Sequence, residues 1–141
     1  MGKLRTVTLN PSYDDHFEVA DLTWGGVGRV VSYRSQPAGK GVNAGRTAHH
    51  LGIPTCVYSL VGTPDLEDFS ARLTTEGVEH RLEPVEATTR HNLTLTQVEA
   101  STIAAHTVGD GFHLPDRSAA DSLFGRLIQE TEPGDVVTLN G

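Results

Sequence analysis

Chemistry in this chain concentrates where Pro37-Ala38-Gly39-Lys40-Gly41-Val42-Asn43-Ala44-Gly45-Arg46 joins a β-rich run to a helical one. Glycines on both sides of Lys40 would let the backbone approach a ligand with no Cβ in the way. The free N–H groups of a first helical turn attract anions or oxygen lone pairs. Asn43 adds a side-chain amide to the same turn. The other reading is a tight strand-to-helix turn with a solvated lysine, and the local residues leave both open. Two familiar phosphate patterns do not fit. A Walker loop needs Ser or Thr after its lysine, whereas Lys40 is followed by Gly41. Gly25-Gly26-Val27-Gly28 lacks the third glycine of a dinucleotide fingerprint and leads into β-rich residues, as a hairpin turn does.

Other reactive residue types are sparse. Cys56 is the only cysteine, which rules out an internal disulfide, and its apolar neighbours predict a buried thiol with no catalytic part. Seven histidines are present, but without HExxH or Cys/His spacing, so no metal site is expected. Asn92-Leu93-Thr94 is a glycosylation sequon by letter only. A net charge of −7 with no Lys/Arg cluster argues against nucleic acid as a partner. No run is long enough to span a bilayer and no basic-then-apolar leader begins at Met1, so a cytoplasmic chain without membrane contact is expected. With 37% hydrophobic and 21% charged residues over 141 positions, a globular chain of single-domain size follows.

The elements that must position these residues can be read from periodicity. Residues 5–10 form a first strand, ended by Asn10-Pro11-Ser12. Residues 16–20 and 27–35 pair as a hairpin about Trp24-Gly25-Gly26. A helix over about 41–51 turns Val42, Gly45, Ala48 and Leu51 inward, and Gly52 stops it. Residues 55–61 are an apolar strand. Thr63-Pro64-Asp65 opens a helix with a cap and a first-turn proline, Leu66, Phe69 and Leu73 bury it, and Gly77 closes it. Residues 78–84 and 91–99 read as strands, and 102–108 return antiparallel across Ala100-Ser101. A helix over about 116–131 uses Ala120, Leu123, Leu127 and Ile128 as core, and 136–139 is a continuous apolar strand of the parallel kind. The sum is an α/β layer carrying a separate small β-sheet.

Three segments in order, Thr8-Leu9-Asn10-Pro11-Ser12-Tyr13-Asp14, then residues 37–46, then Thr89-Arg90-His91-Asn92-Leu93-Thr94, are similar to the PfkB carbohydrate kinases. Among these the chain most resembles the 1-phosphofructokinase and tagatose-6-phosphate kinase branch. The resemblance covers only the N-terminal half of such an enzyme. It implies one truncated kinase domain over 1–141 with a ribokinase-like three-layer αβα sheet. A small β-sheet lid would use strands at about 15–36 and 91–108, and a homodimer would form through the lids. Asp14 would accept hydrogen bonds from sugar hydroxyls. Gly39, Lys40 and Asn43 would line the pocket, and Arg90 would hold the phosphate already on the substrate, with Asn92 beside it on the same strand. Ala38 stands where the family has a glycine, which places a methyl group close to the expected sugar. The glycine-rich segment after the fourth strand keeps only Gly62.

Phosphoryl transfer from ATP also needs a positioning carboxylate, an anion cradle and a nucleotide site with Mg²⁺. In the family these belong to the C-terminal half, where the catalytic aspartate lies in a GAGD segment. Gly109-Asp110-Gly111 reads as a loop, because Phe112-His113-Leu114-Pro115 follows instead of an apolar helix. The chain is therefore expected to be the sugar-phosphate-binding half of an ATP-dependent phosphosugar kinase. ATP and Mg²⁺ would serve the full-length family and not bind this chain well. It would hold no catalytic residue and be inactive alone. An apolar strand ending at Leu139 without its next neighbour would favour association. The alternative is a non-catalytic module that binds a phosphorylated metabolite or dimerises through the lid.

Overall fold

A computed structural model describes residues 2–98 and 102–140. Glu99 and the turn expected at Ala100-Ser101 lie outside the described residues. Four parallel strands in the order β5-β4-β1-β8 form the main sheet. They are β1 (Leu4–Thr8), β4 (Thr55–Gly62), β5 (His80–Val85) and β8 (Val136–Asn140). Every residue of β4 is buried, as a strand covered on both faces requires. Its alternation sends Cys56, Tyr58 and Leu60 to one side with Val7 of β1 and with Leu123 and Leu127 of α3 (Ser118–Glu130). Val57 and Val61 go to the other side, with Val42 of α1 (Lys40–His50) and Phe69 and Leu73 of α2 (Leu66–Thr75). This is the three-layer αβα arrangement expected.

The second sheet is inserted in two pieces. β2 (Ser12–Val19) and β3 (Val30–Ala38) lie between β1 and α1, and β6 (Arg90–Gln97) and β7 (Thr102–Val108) between β5 and α3. Each piece is an antiparallel pair, and the two join through a parallel β2–β6 contact, in the order β3-β2-β6-β7. Helices α1 and α2 contact this sheet through β3.

Gly52 and Gly77 end α1 and α2 with φ of 77° and 74°. In both caps the next N–H reaches back to the helix, Ile53 to Ala48 at 3.0 Å and Val78 to Leu73 at 2.9 Å. Some expected core positions differ. Leu51 and Ile128 are each 73% exposed, because Leu51 is the cap residue of α1 and Ile128 sits in the last turn of α3 beyond its packed face. Asp65 stands at the cap position of α2 but makes no cap bond; its carboxylate accepts from Thr89 N–H at 2.8 Å instead. β8 is parallel as expected, yet it bonds only to β1 among the described strands, and Val136, Val137 and Leu139 remain exposed. The opposite edge strand, β5, carries Arg81, Glu83 and Pro84, residue types that discourage further pairing. No helix among the described residues is long and apolar enough to cross a membrane.

A polar network closes one end of the main sheet. Arg5 donates from Nε to Asp135 at 2.7 Å and from Nη1 to the Tyr58 hydroxyl at 2.6 Å, and Tyr58 donates to Glu130 at 2.8 Å. Burial would raise the Glu130 carboxyl, but bonds from Tyr58, Arg81 and Arg126 outweigh it and lower it from 4.5 to about 2. Main-chain N–H groups of Lys3 and Glu132, then Arg5, lower Asp135 from 3.8 to about 2. Both carboxyls are depressed on folding, so their contribution is complete above the ordinary range and is lost as pH falls from about 4.5 towards 2. The urea midpoint should therefore fall between pH 5 and pH 3 more in the native chain than in Glu130→Gln. Equal falls would contradict this assignment.

Candidate functional site

The site is built on the alternation of β2. Ser12 and Asp14 point to one face of the small sheet, Tyr13 and Asp15 to the other. Pairing then brings residues distant in sequence alongside: Arg90 stands beside Ser12, and Asn92 beside Asp14. On the opposite flank Ser12 pairs with Ala38, the residue before Gly39. Asp14 Oδ1 accepts from Asn92 Nδ2 at 2.8 Å and from Ser12 Oγ at 3.1 Å, and Asn92 Nδ2 also donates to Ser12 Oγ at 3.0 Å. Asn92 Oδ1 and Asn10 Oδ1, the latter just ahead of Ser12 in the chain, are buried acceptors without a donor among the described residues. Buried acceptors seek donors, and a ligand hydroxyl supplies one.

Arg90 is held differently from the other part-buried arginines. Arg5, Arg46 and Arg81 each meet a carboxylate. Arg90 instead donates to three main-chain carbonyls, of Pro11 and Gly109 at 3.2 Å and of Asn10 at 3.4 Å. These bonds orient the guanidinium and leave its charge without a carboxylate among the described residues. A guanidinium so placed, with two of its five N–H groups uncommitted, suits an anion. Its position is fixed from behind. Thr89, 1% exposed, donates its N–H to Asp65 and accepts the Gly62 N–H at 3.0 Å on its hydroxyl. A Cβ on Gly62 would lie 2.6 Å from Thr89 N, so the one glycine retained there serves this contact.

The floor comes from the start of α1. Gly39 has φ of 125°, and a Cβ on it would meet Thr8 Cγ2 at 2.9 Å. Asn43 N–H closes the first turn on Gly39 C=O at 2.8 Å, and Asn43 Oδ1 accepts from Arg46 at 3.0 Å. Lys40 and Asn43 are exposed. Ser12, Asp14 and Asn92 thus bond directly and Arg90 joins them by register. Gly39 adjoins them through Ala38, whereas Lys40 and Asn43 lie one step further along α1. The missing Cβ of Gly41 serves helix packing. A Cβ there would lie 2.3 Å from Thr8 Oγ1 and 2.7 Å from Val7 O, so its absence lets α1 rest on β1. Ala38 is fully buried and, paired with Ser12 across the ladder, lies on the same face of the small sheet as Ser12 and Asp14. Sequence reasoning passed over Ser12 and Asn10; the period of two from Asp14 back to Ser12 was the available signal.

No family model matches the chain. It is 31% identical over 136 residues to 1-phosphofructokinase of Bacillus subtilis, covering 96% of this chain and 43% of that protein. It is 31% identical over 100 residues to 1-phosphofructokinase of Haemophilus influenzae, covering 71% and 32%. Phosphofructokinase-2 from Escherichia coli in complex with fructose-6-phosphate superposes over 100% of this chain and 46% of that one, with a TM-score of 0.89. The chain is thus similar to the N-terminal part of these PfkB-type kinases. At 23% identity the phosphofructokinase-2 likeness speaks for the fold. The chain spans about a third to under half of the length of these relatives. A cavity of about 560 Å³ between α2, β5 and α3, edged by His80, Arg81 and Arg126, shares no residue with the site.

Proposed function

We propose that the Ser12–Asp14–Asn92 cluster and Arg90 bind a phosphorylated sugar as the phosphoryl acceptor of a PfkB-type, ATP-dependent kinase. Asp14 and Asn92 take the hydroxyls, Arg90 takes the phosphate, and Gly39, Lys40 and Asn43 form the floor. The observation that carries this reading is Arg90 itself: an oriented, part-buried guanidinium without a carboxylate partner among the described residues, in a chain of net charge −7, close to the Asp14 carboxylate proposed to take hydroxyls. ATP and Mg²⁺ would supply the transferred phosphoryl group and neutralise its charge. Residues 109–111 do not fit that part. The Cβ direction of Gly109 meets His91 O at 2.6 Å and that of Gly111 meets the Asn10 side chain at 2.6 Å, so this loop packs against the lid base. No nucleotide step is assigned to these residues.

Calorimetric titration with fructose 1-phosphate, fructose 6-phosphate and tagatose 6-phosphate tests the site. Binding of at least one is expected, weakened by roughly 10- to 100-fold in Arg90→Ala, the range for a hydrogen bond to a charged group. Absence of binding to all three would sink the site. A coupled assay with Mg-ATP and the 141-residue chain should show no turnover, and turnover would overturn the acceptor-half reading.

A second copy of the chain is the proposed lid partner. Trp24 and Val27 are fully exposed at the β2–β3 tip, and Val30, Val31 and Tyr33 are half exposed along β3. Sedimentation at rising concentration should show a dimer that Trp24→Ala weakens; a monomer at all concentrations would contradict it.

A further inference from the structure

The face of the lid opposite Asp14 carries a second polar constellation. Asp15 is 8% exposed. Its Oδ2 contacts His91 Nδ1 at 2.7 Å, its Oδ1 accepts from the Tyr33 hydroxyl at 3.1 Å, and Ser35 adds a further bond. One carboxylate on β2 therefore ties β3 on one side to β6 on the other. His91 reaches it diagonally, since His91 stands beside Tyr13 in register and Asp15 beside Leu93. The imidazole stacks on Tyr13, with centroids 5.1 Å apart and planes 22° from parallel. Tyr13 is itself fixed: its hydroxyl donates to Asp68 at 2.8 Å, its ring meets Phe69 edge-on at 5.5 Å, and Arg72 of α2 lies 5.9 Å from its centroid.

We propose that Asp15 and His91 are a positioning pair that sets β2 against β6, so that sugar-phosphate affinity depends on the charge of His91. The proposal rests on the binding reading given above. Arg90 and Asn92 flank His91 in the chain, and Asp14 precedes Asp15, so any slip between the two strands reaches all three ligand-facing residues. β2 and β6 are parallel and come from distant parts of the chain, joined here only by their ladder and such side-chain contacts. A protonated imidazole makes a charge-assisted bond to Asp15, about twice as strong as a neutral one. Burial would raise Asp15, but the bonds from Ser35, His91 and Tyr33 outweigh it and keep the carboxyl below its ordinary value. Asp15 thus stays an anion where imidazoles change charge, between about pH 5 and 8. The His91 side chain is half exposed. The other titratable or charged groups facing the pair are Tyr33 from β3 and Tyr13 from β2, with Asp68 and Arg72 of α2 behind Tyr13 and Asp65 near by.

The test compares the native chain with His91→Gln and Asp15→Asn from pH 5.5 to 8.5, using fructose 6-phosphate as probe. Every protein meets the same ligand ionisation, so the ratio of variant to native Kd cancels it. The ratio for His91→Gln should be roughly threefold to tenfold at pH 5.5 and approach a constant near unity by pH 8.5. A ratio independent of pH would overturn the proposal, whatever its size. Hydrogen exchange of the β6 amides, again as native over His91→Gln, gives a readout that needs no ligand. Extra protection in the native chain should shrink across the same range, and unchanged protection would overturn the proposal even if no sugar binds. Failure to bind alongside pH-dependent protection would instead reject the binding reading alone.

Discussion

Gly41→Ala is expected to destabilise the chain by roughly 2 kcal/mol or more, although alanine is normally the better helix residue by about 1 kcal/mol. The added methyl group would lie 2.3 Å from Thr8 Oγ1 and 2.7 Å from Val7 O. A side chain can rotate away, but a main-chain oxygen inside a parallel sheet can move only with its strand. Overpacking of this kind costs about 1–3 kcal/mol before any favourable propensity is counted, and a backbone obstacle puts the site at the upper end. The first turn of α1 would lift from β1 and carry Gly39, Lys40 and Asn43 with it. Urea unfolding should show the loss of stability, and titration a weaker sugar phosphate. Gly125→Ala is the control. It lies in the interior of α3, nothing lies within 4 Å of its Cβ direction, and the same change there should stabilise by up to about 1 kcal/mol. The same sign at both positions would show that the contact with β1 is not the deciding term.

Arg5→Ala should cost about 1–3 kcal/mol, the range for losing hydrogen bonds to charged partners. Against a total of about 5–15 kcal/mol for a domain, that is a large share. The Arg5 side chain is 7% exposed and that of Asp135 is 5% exposed. Without the guanidinium, Asp135 would keep the N–H groups of Lys3 and Glu132 but lose its counter-charge. Tyr58 would still donate to Glu130 but lose the donor at 2.6 Å. Lys3 and Glu79 also pair, at 2.8 Å, but their side chains are 31% and 42% exposed, so Lys3→Ala should change stability by less than about 1 kcal/mol. Chemical denaturation of both variants checks the contrast, and similar losses would mean that burial does not set the value of the Arg5 pair.

Local pattern carried much of the architecture. Strand and helix periods located the elements to within a few residues, and Gly52 and Gly77 ended the helices where their positive φ is needed. Phe69, Leu73, Leu123 and Leu127 are buried as their spacing requires. Leu51 and Ile128 share that spacing and are exposed, because periodicity reports a helix face and not where its cover ends. Both hairpins of the lid were legible, since the partners are near neighbours in the chain. The parallel contact between β2 and β6 was not.

That contact separates what the sequence by itself determined from what the tertiary structure decided. The types and order of Asp14, Gly39, Lys40, Asn43, Arg90 and Asn92, and the family they resemble, are written in the chain. Which of them touch depends on a register between strands whose residues stand 78 positions apart, as Asp14 and Asn92 do. No local preference specifies such a pairing; it follows from how the two hairpins dock on the common main sheet. The same docking gave Ser12 a place in the cluster and put Asp15 with His91 behind it. It also made Gly41 the point where helix meets strand, because the volume a missing Cβ leaves is claimed by whatever the fold brings nearest.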